Sequence, residues 1–167
     1  MGKFIEDMKA IGVFSHLTHE QLIRTEEELY HHDFGSMGEA MRAFPHTVVF
    51  FDWETGNLQN PYEELTQVFA QASRGAFTPT EIVDNFEKGF KKARKIKYSF
   101  RFNGKLYEAM LPFEGDWLAP EFMQLMKTAL EENGVDGRIY YCLDNGQEGG
   151  YIFLAAKQYA FIKDKYP

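Results

Sequence analysis

An Asn-Gly dipeptide in the second half of the chain places the firmest constraint on the fold. Asn103-Gly104 separates two segments, 97–102 and 106–111, and apolar and polar residues alternate strictly in the first of them. Alternation at period two is typical of strands with one buried face, and Asn-Gly is the preferred two-residue turn of a β-hairpin. The sequence therefore predicts an antiparallel hairpin at this point, with aromatic residues on its buried face.

A second hairpin and a helix complete the predicted core. Segments 138–143 and 151–154 are rich in apolar and aromatic residues, and the glycine-rich turn 144–150 joins them. Between the two hairpins, Pro120 begins a helical pattern that Asn133-Gly134 ends. A last short helix is predicted over 157–165. This ββαββ order indicates an α+β fold, an antiparallel sheet of two hairpins packed with helices.

The N-terminal part is predicted to be helical. Thr18 and Gln21 have the spacing of a capping box, which predicts a helix running to about Tyr30. A β-branched and aromatic run at 48–51 then predicts a strand. We expect a single α+β domain over residues 1–167, with a helical N-terminal part (1–47) and a core (48–167).

Two proline-containing segments carry further helix-start signals. Asn60-Pro61 supplies a capping residue followed by a proline at the first helical position, and Thr78-Pro79 repeats that chemistry. The first signal predicts a helix that ends near Gly75. The second predicts a helix whose apolar stripe consists of Ile82, Val83, Phe86 and Phe90.

Composition limits the class of protein and its compartment. Aromatic residues make up 16% of the 167, too many for a chain that stays disordered. No run of about 18 apolar residues is present, so no membrane span or membrane partner is predicted. Glu6 and Asp7 come too early for a secretory signal, and a single cysteine, Cys142, excludes an internal disulfide. Together these features predict a cytoplasmic protein.

The net negative charge lies entirely in the first half of the chain. Residues 1–75 contain 5 Lys or Arg and 12 Asp or Glu, whereas residues 76–167 contain 13 of each. Phosphate backbones bind clustered cations, so nucleic acid is a poor partner for the first half. A basic protein is a better partner, because complementary potentials speed encounter and favour binding.

No motif in the sequence predicts catalysis, a metal site or a cofactor. Glu28 and His31 have the Glu-x-x-His spacing of di-iron bundles, but the second such motif and the further helical glutamates are missing. Cys142 lies in a predicted strand, where a cysteine is usually a small apolar residue rather than a reactive thiolate. No glycine-rich loop leads into a helix start to hold a phosphate.

Two alternatives to protein binding stay open at this level. Glu114 and Asp116, beside Trp117, are a carboxylate pair that a small enzyme could use for acid–base chemistry. A regulatory module could instead bind nucleic acid through the basic segment 88–101, where alternating aromatic residues offer stacking surfaces. The cations of that segment are Lys88, Lys91, Lys92, Arg94, Lys95, Lys97 and Arg101, and its aromatic residues are Tyr98, Phe100 and Phe102.

Several short motifs in the second part of the chain occur in a familiar order. They are Tyr62 with Leu65, Ser73-Arg74-Gly75-Ala76-Phe77-Thr78-Pro79, Phe102-Asn103-Gly104-Lys105-Leu106-Tyr107, Gly115-Asp116-Trp117, Arg138-Ile139-Tyr140-Tyr141 and Asp144-Asn145-Gly146-Gln147. This order resembles small bacterial immunity proteins of polymorphic toxin and contact-dependent growth inhibition systems, over about residues 48–160. The resemblance implies a cytoplasmic protein that binds one cognate toxin domain and neutralises it without catalysis.

The expected binding surface follows from the charge asymmetry and the resemblance together. Many toxins of these systems are basic nucleases, and the acidic first half is the part of this chain that would meet one. Aromatic residues beside the acids would act as anchors. The predicted partner-binding residues are Glu26, Glu27, Glu28, Tyr30, Asp33, Tyr62, Glu63 and Glu64.

Overall fold

The computed structural model describes residues 1–56, 58–86 and 94–166. Its helices are α1 (Gly2–Ala10), α2 (His19–His31), α3 (Met37–Met41), α4 (Pro61–Ala72), α5 (Glu121–Glu132) and α6 (Ala156–Lys165). Its strands are β1 (Val48–Asp52), β2 (Thr80–Asp84), β3 (Lys95–Phe102), β4 (Lys105–Pro112), β5 (Gly137–Asp144) and β6 (Glu148–Ala155). The predicted α+β class with a helical N-terminal region is confirmed. Within the described ranges, no helix combines the length and the apolar character needed to cross a bilayer.

Most of the local start and turn signals are confirmed. The capping box of α2 forms as predicted, with Thr18 N donating to Gln21 Oε1 at 2.9 Å and Gln21 N donating to Thr18 Oγ1 at 3.3 Å. Asn103 and Gly104 have φ angles of 49° and 81°. Positive φ at both central residues is the requirement of a type I′ turn, which matches the twist of the strands β3 and β4 that it joins.

The two predicted hairpins lie in two separate sheets, not in one. The strand orders are β1-β6-β5 and β2-β3-β4, and all pairings are antiparallel. Each hairpin has gained a third strand from elsewhere in the chain. Helices α4 and α5 contact strands of both sheets. The two helices therefore cover one apolar face of each sheet. The two sheets stay separate instead of joining edge to edge.

The prediction of a helix after Thr78-Pro79 is wrong. Residues 80–84 form strand β2, in which Thr80 pairs with Arg101 and Val83 with Ser99. Thr80, Ile82 and Val83 are β-branched, and an edge of β3 is available for pairing, so strand formation outweighs the helix-start signal. The predicted stripe residue Phe90 lies outside the described residues.

The sheet β1-β6-β5 separates two buried clusters. Side chains alternate along β6, so Tyr151 and Phe153 belong to one cluster, and Ile152 and Leu154 belong to the other. The first cluster includes the inner faces of α4, α5 and the sheet β2-β3-β4. The second includes Phe4 and other buried residues of the N-terminal helices, together with α6. The N-terminal part therefore packs on one face of this sheet.

Helix α4 is capped from a distant part of the chain. Asn60 makes no side-chain capping bond; instead, the Asp84 carboxylate accepts hydrogen bonds from Tyr62 N at 2.8 Å and Glu63 N at 3.3 Å. Asp84 also accepts from Phe86 N at 2.8 Å. Burial raises the pKa of Asp84, although these three hydrogen bonds act in the opposite direction. One half-buried carboxylate thus joins β2 to the start of α4.

The outer edge of β5 is covered by the short helix α3. A Cβ atom on Gly38 would lie 2.1 Å from the carbonyl oxygen of Cys142, so only glycine permits this contact. Cys142 lies in β5, as predicted, and packs beside the second cluster. At the other edge of the sheet, β1 has β6 as its strand neighbour.

Candidate functional site

Most of the predicted acidic residues in α2 and just after it are exposed. Glu27, Glu28 and Asp33 are exposed, and Tyr30 is 58% exposed beside them. Glu26 is less available, because Lys9 Nζ lies 2.6 Å from its carboxylate. We call Glu27, Glu28, Tyr30 and Asp33 the α2 surface.

The predicted residues of α4 do not join the α2 surface. The expectation that Tyr62 is an exposed anchor is wrong: its ring is fully buried, and its hydroxyl accepts a hydrogen bond from Ala119 N at 2.9 Å. Burial raises the pKa of Tyr62 to about 12. Glu63 is half-buried and accepts from Gln67, whereas Glu64 is exposed. The buried residues of α2 and α4 belong to clusters on opposite faces of the sheet β1-β6-β5.

A second acidic surface is built by three loops that are distant in sequence. The loop after β1 and the loop before α5 are joined by Leu118 N donating to Trp53 O at 2.8 Å and Thr55 N donating to Asp116 O at 2.5 Å. The β5–β6 turn joins them, because Trp53 N donates to Gln147 O at 2.9 Å. The three joined loops carry five exposed carboxylates and the indole of Trp117, which is 39% exposed. The acidic loop surface consists of Asp52, Glu54, Glu114, Asp116, Trp117 and Glu148.

The loops that build the acidic loop surface carry no cation of their own. Segments 52–58, 113–118 and 144–150 contain no Lys or Arg. Asp52 and Glu148 are direct partners across β1 and β6, and like charges directly opposite each other in a sheet are destabilising. Asp52 is held in place by hydrogen bonds from Glu54 N at 2.8 Å and Gln147 Nε2 at 2.7 Å. Hydrogen bonds to the turn residues thus accompany the like-charge pairing of Asp52 and Glu148.

Sequence reasoning found only part of the acidic loop surface. Glu114, Asp116 and Trp117 were predicted as a candidate enzyme site, whereas Asp52, Glu54 and Glu148 were not. The available signal is the absence of cations from three separate turns. These turns lie close together because β1 pairs with β6, and no local sequence pattern predicts that pairing.

The carboxylates of the acidic loop surface are all exposed and come from three different parts of the chain. Among the residues that the structure describes, no three His, Cys, Asp or Glu side chains are grouped to hold a metal ion. Glu114 and Asp116 are both exposed. An extended, solvated set of like charges has the geometry of a contact surface for a basic molecule, whereas an active site requires a cleft.

The three aromatic residues that were expected to offer stacking surfaces in the basic segment are buried. Tyr98 and Phe100 are fully buried, and Phe102 is 3% exposed, so all three aromatic rings face the core. Arg101 Nε lies 3.0 Å from the Glu81 carboxylate. Arg94, Lys95 and Lys97 are exposed, and Lys88, Lys91 and Lys92 lie outside the described residues.

A histidine pair lies where the N-terminal helices meet the loop before β1. His16 Nε2 lies 3.0 Å from Pro45 O, and its ring is 6.0 Å from that of His46. His16 Nδ1 is buried with no hydrogen-bond partner among the described residues. Burial lowers the pKa of His16 and the nearby charges of Arg74 and His46 lower it further, although the backbone of Pro45 and of Val13 acts in the opposite direction. Protonation would therefore place a new positive charge in a partly buried site that already lies near the charge of Arg74.

We expect the free energy of unfolding to fall as the pH is lowered below 6.5, the ordinary pKa of histidine. The folded state binds a proton at His16 less readily than the unfolded state, so stability is complete above that value and declines below it. Urea unfolding of wild type and His16→Gln at neutral and mildly acidic pH measures this effect. The difference between the two proteins isolates His16 from other titrating groups. An unchanged difference across this range would contradict the prediction.

Comparison of the chain with models of protein families, with curated proteins and with solved structures found no match. The resemblance of the motifs to immunity proteins therefore stays a prediction.

Proposed function

We propose that this chain is a cytoplasmic immunity protein, which binds a basic toxin domain and neutralises it by covering it, without catalysis. One observation carries the proposal: three loops present five exposed carboxylates around an exposed tryptophan, with no cation in those loops. A tryptophan surrounded by charges of one sign is a suitable anchor for a partner of opposite charge. The order of the motifs supports the same class of protein.

Two features of the acidic loop surface support binding over acid–base chemistry. Its side chains are exposed, whereas acids and bases that act in catalysis are held in clefts that restrict water. Its loops are joined by backbone hydrogen bonds, so a partner would meet a surface that is already ordered. Preorganisation of this kind reduces the entropy cost of association.

The proposal predicts that a toxin gene lies beside the gene of this chain, and co-expression of the two tests the function. Growth of cells that produce the toxin domain is expected to be restored by this chain and not by an unrelated acidic protein of similar size. The purified chain should bind an inactive form of that toxin, and the affinity should fall with added salt, because exposed charges are screened. Equal killing with and without the chain would refute the proposal. Turnover of a substrate by the purified chain would favour the enzyme alternative.

The unfavourable pairing of Asp52 with Glu148 leads to a separate prediction. We expect Glu148→Gln to raise the free energy of unfolding by about 0.5 kcal/mol, because it removes a like-charge pair and keeps an oxygen acceptor for Asn145 Nδ2. Urea unfolding at low and high salt measures the change, which salt should reduce. Glu108→Gln is the matched control, since Glu108 is an exposed strand glutamate that pairs with Ser99. Equal effects of the two substitutions would contradict the prediction.

A further inference from the structure

A groove runs along one side of α6, and none of its lining residues belongs to either acidic surface. Its larger part is a cavity of about 460 Å³ between α3, β5 and α6. A second cavity of about 380 Å³ continues toward α1, and both cavities include Met37 and Tyr166 in their walls. The groove is therefore elongated, and its volume lies in the range of sites for small organic ligands.

The walls of the groove are largely apolar and adaptable. Met37, Met41 and Ile162 contribute aliphatic surface to the larger cavity, together with the ring of Tyr159. Met1 and Phe4 extend the apolar wall into the second cavity. Methionine side chains are flexible and polarizable, so they adjust to the shape of an alkyl or aromatic ligand. An apolar chain that enters such a groove removes apolar surface from water, which favours binding.

Cations lie around the groove, although the chain as a whole has a net charge of −7. Lys3 and Lys165 line the second cavity, but Lys165 Nζ lies 2.5 Å from the Asp7 carboxylate, which offsets its charge. Lys163 lines the larger cavity and is exposed. Among the described residues it makes no ion pair, and its ammonium lies 5.9 Å from the centre of the Tyr159 ring. Lys163 thus places a cation beside the apolar lining of the larger cavity.

We propose that the groove binds a small amphipathic anion, an alkyl carboxylate of medium length. The alkyl chain lies between α3 and α6 against Met37, Met41 and Ile162, and the carboxylate pairs with Lys163. Complementary charge at one end and apolar surface along the remainder define this class of ligand. No residue of the groove belongs to the acidic loop surface or the α2 surface, so this inference is independent of the proposed function.

Calorimetric titration of the full chain with dodecanoate, below its micelle-forming concentration, tests the inference. We expect saturable binding with one ligand per chain and no comparable binding of the cationic dodecyltrimethylammonium. Lys163→Glu should weaken dodecanoate binding roughly tenfold, because it replaces a charge-assisted contact by repulsion. Lys157→Glu makes the same charge change on an exposed residue of α6 outside the groove and should leave the affinity unaltered.

The thiol of Cys142 provides a second, local measurement. Cys142 is the single cysteine and lines the larger cavity, so bound dodecanoate should slow its alkylation by a neutral maleimide in proportion to occupancy. Absence of saturable heat overturns the inference, and so does equal binding of the anionic and cationic amphiphiles. Equal loss of affinity in the Lys163 and Lys157 variants also overturns it. A dimer in sedimentation that dodecanoate does not dissociate would assign the groove to a second copy instead.

Discussion

Replacing Asp84 by alanine is expected to lower the free energy of unfolding by about 3 kcal/mol, because three backbone N–H groups lose a charged acceptor. Two of them belong to the first turn of α4, where no other side chain caps the helix. The substitution also removes the cost of burying the carboxylate. The expected loss is therefore smaller than the sum of three hydrogen bonds to a charged group. Urea unfolding followed by circular dichroism measures the change.

Asp84→Asn separates the charge of Asp84 from its role as an acceptor. The amide oxygen can still accept from Tyr62 N, so we expect a loss of about 1 kcal/mol at neutral pH. Burial raises the pKa of Asp84, so the folded state binds this proton more readily than the unfolded state. The stability that this group contributes is complete at pH values below its ordinary pKa of 3.8. It declines as the pH rises through the higher pKa of the folded state. The advantage of wild type over Asp84→Asn should therefore shrink with rising pH.

Asp164→Ala is the control for the Asp84 variants. Asp164 is exposed near the end of α6 and makes no ion pair with another described residue. Its replacement is expected to change the free energy of unfolding by less than about 0.5 kcal/mol. A loss in Asp84→Ala that is no larger than this would show that water caps α4 equally well.

The sequence predicted the elements whose signals are local. The Thr18 capping box, the Asn103-Gly104 turn and the helix that starts at Pro61 each depend on residues within about four positions of one another. Steric and hydrogen-bond preferences of this kind act in short peptides as well as in folded proteins. These predictions were therefore confirmed without knowledge of the tertiary structure.

The features that sequence reasoning missed are set by tertiary contacts. Strand β2 forms because β3 offers an edge, and this contact outweighs the local preference of Thr78-Pro79 for a helix start. Asn60 has the right position for a cap, yet Asp84 takes that role from 22 residues away. Tyr62 was expected at the surface because it stands beside Glu63 and Glu64, but helical periodicity turns it toward the core.

The acidic loop surface could be predicted only in fragments for the same reason. Glu114 and Asp116 are neighbours in sequence, and so they were recognised as a pair. Asp52 and Glu148 are 96 positions apart, and the register of β1 and β6 makes them partners. A surface that combines three loops shows no signal in any one of them except a lack of cations.

Reversal of charge on the acidic loop surface should have the largest effect on partner binding. We expect the triple variant Glu54→Lys, Glu114→Lys and Asp116→Lys to weaken binding of the neighbouring toxin domain roughly 100-fold at low salt. These side chains are exposed, so the thermal midpoint should stay close to that of wild type. Trp117→Ala should weaken binding as well, with little dependence on salt, because it removes an apolar anchor.

The triple variant Glu27→Lys, Glu28→Lys and Asp33→Lys of the α2 surface is the matched control. It changes the net charge by the same amount, so it reproduces any long-range effect on encounter with a basic partner. If the acidic loop surface is the contact, the loop variant loses far more affinity than the α2 variant, and the excess appears in the dissociation rate. Equal losses would mean that net charge alone governs binding. The two variants have the same net charge and differ only in which local contacts they alter. A larger loss in the α2 variant would therefore assign the contact to the α2 surface, which the sequence first indicated.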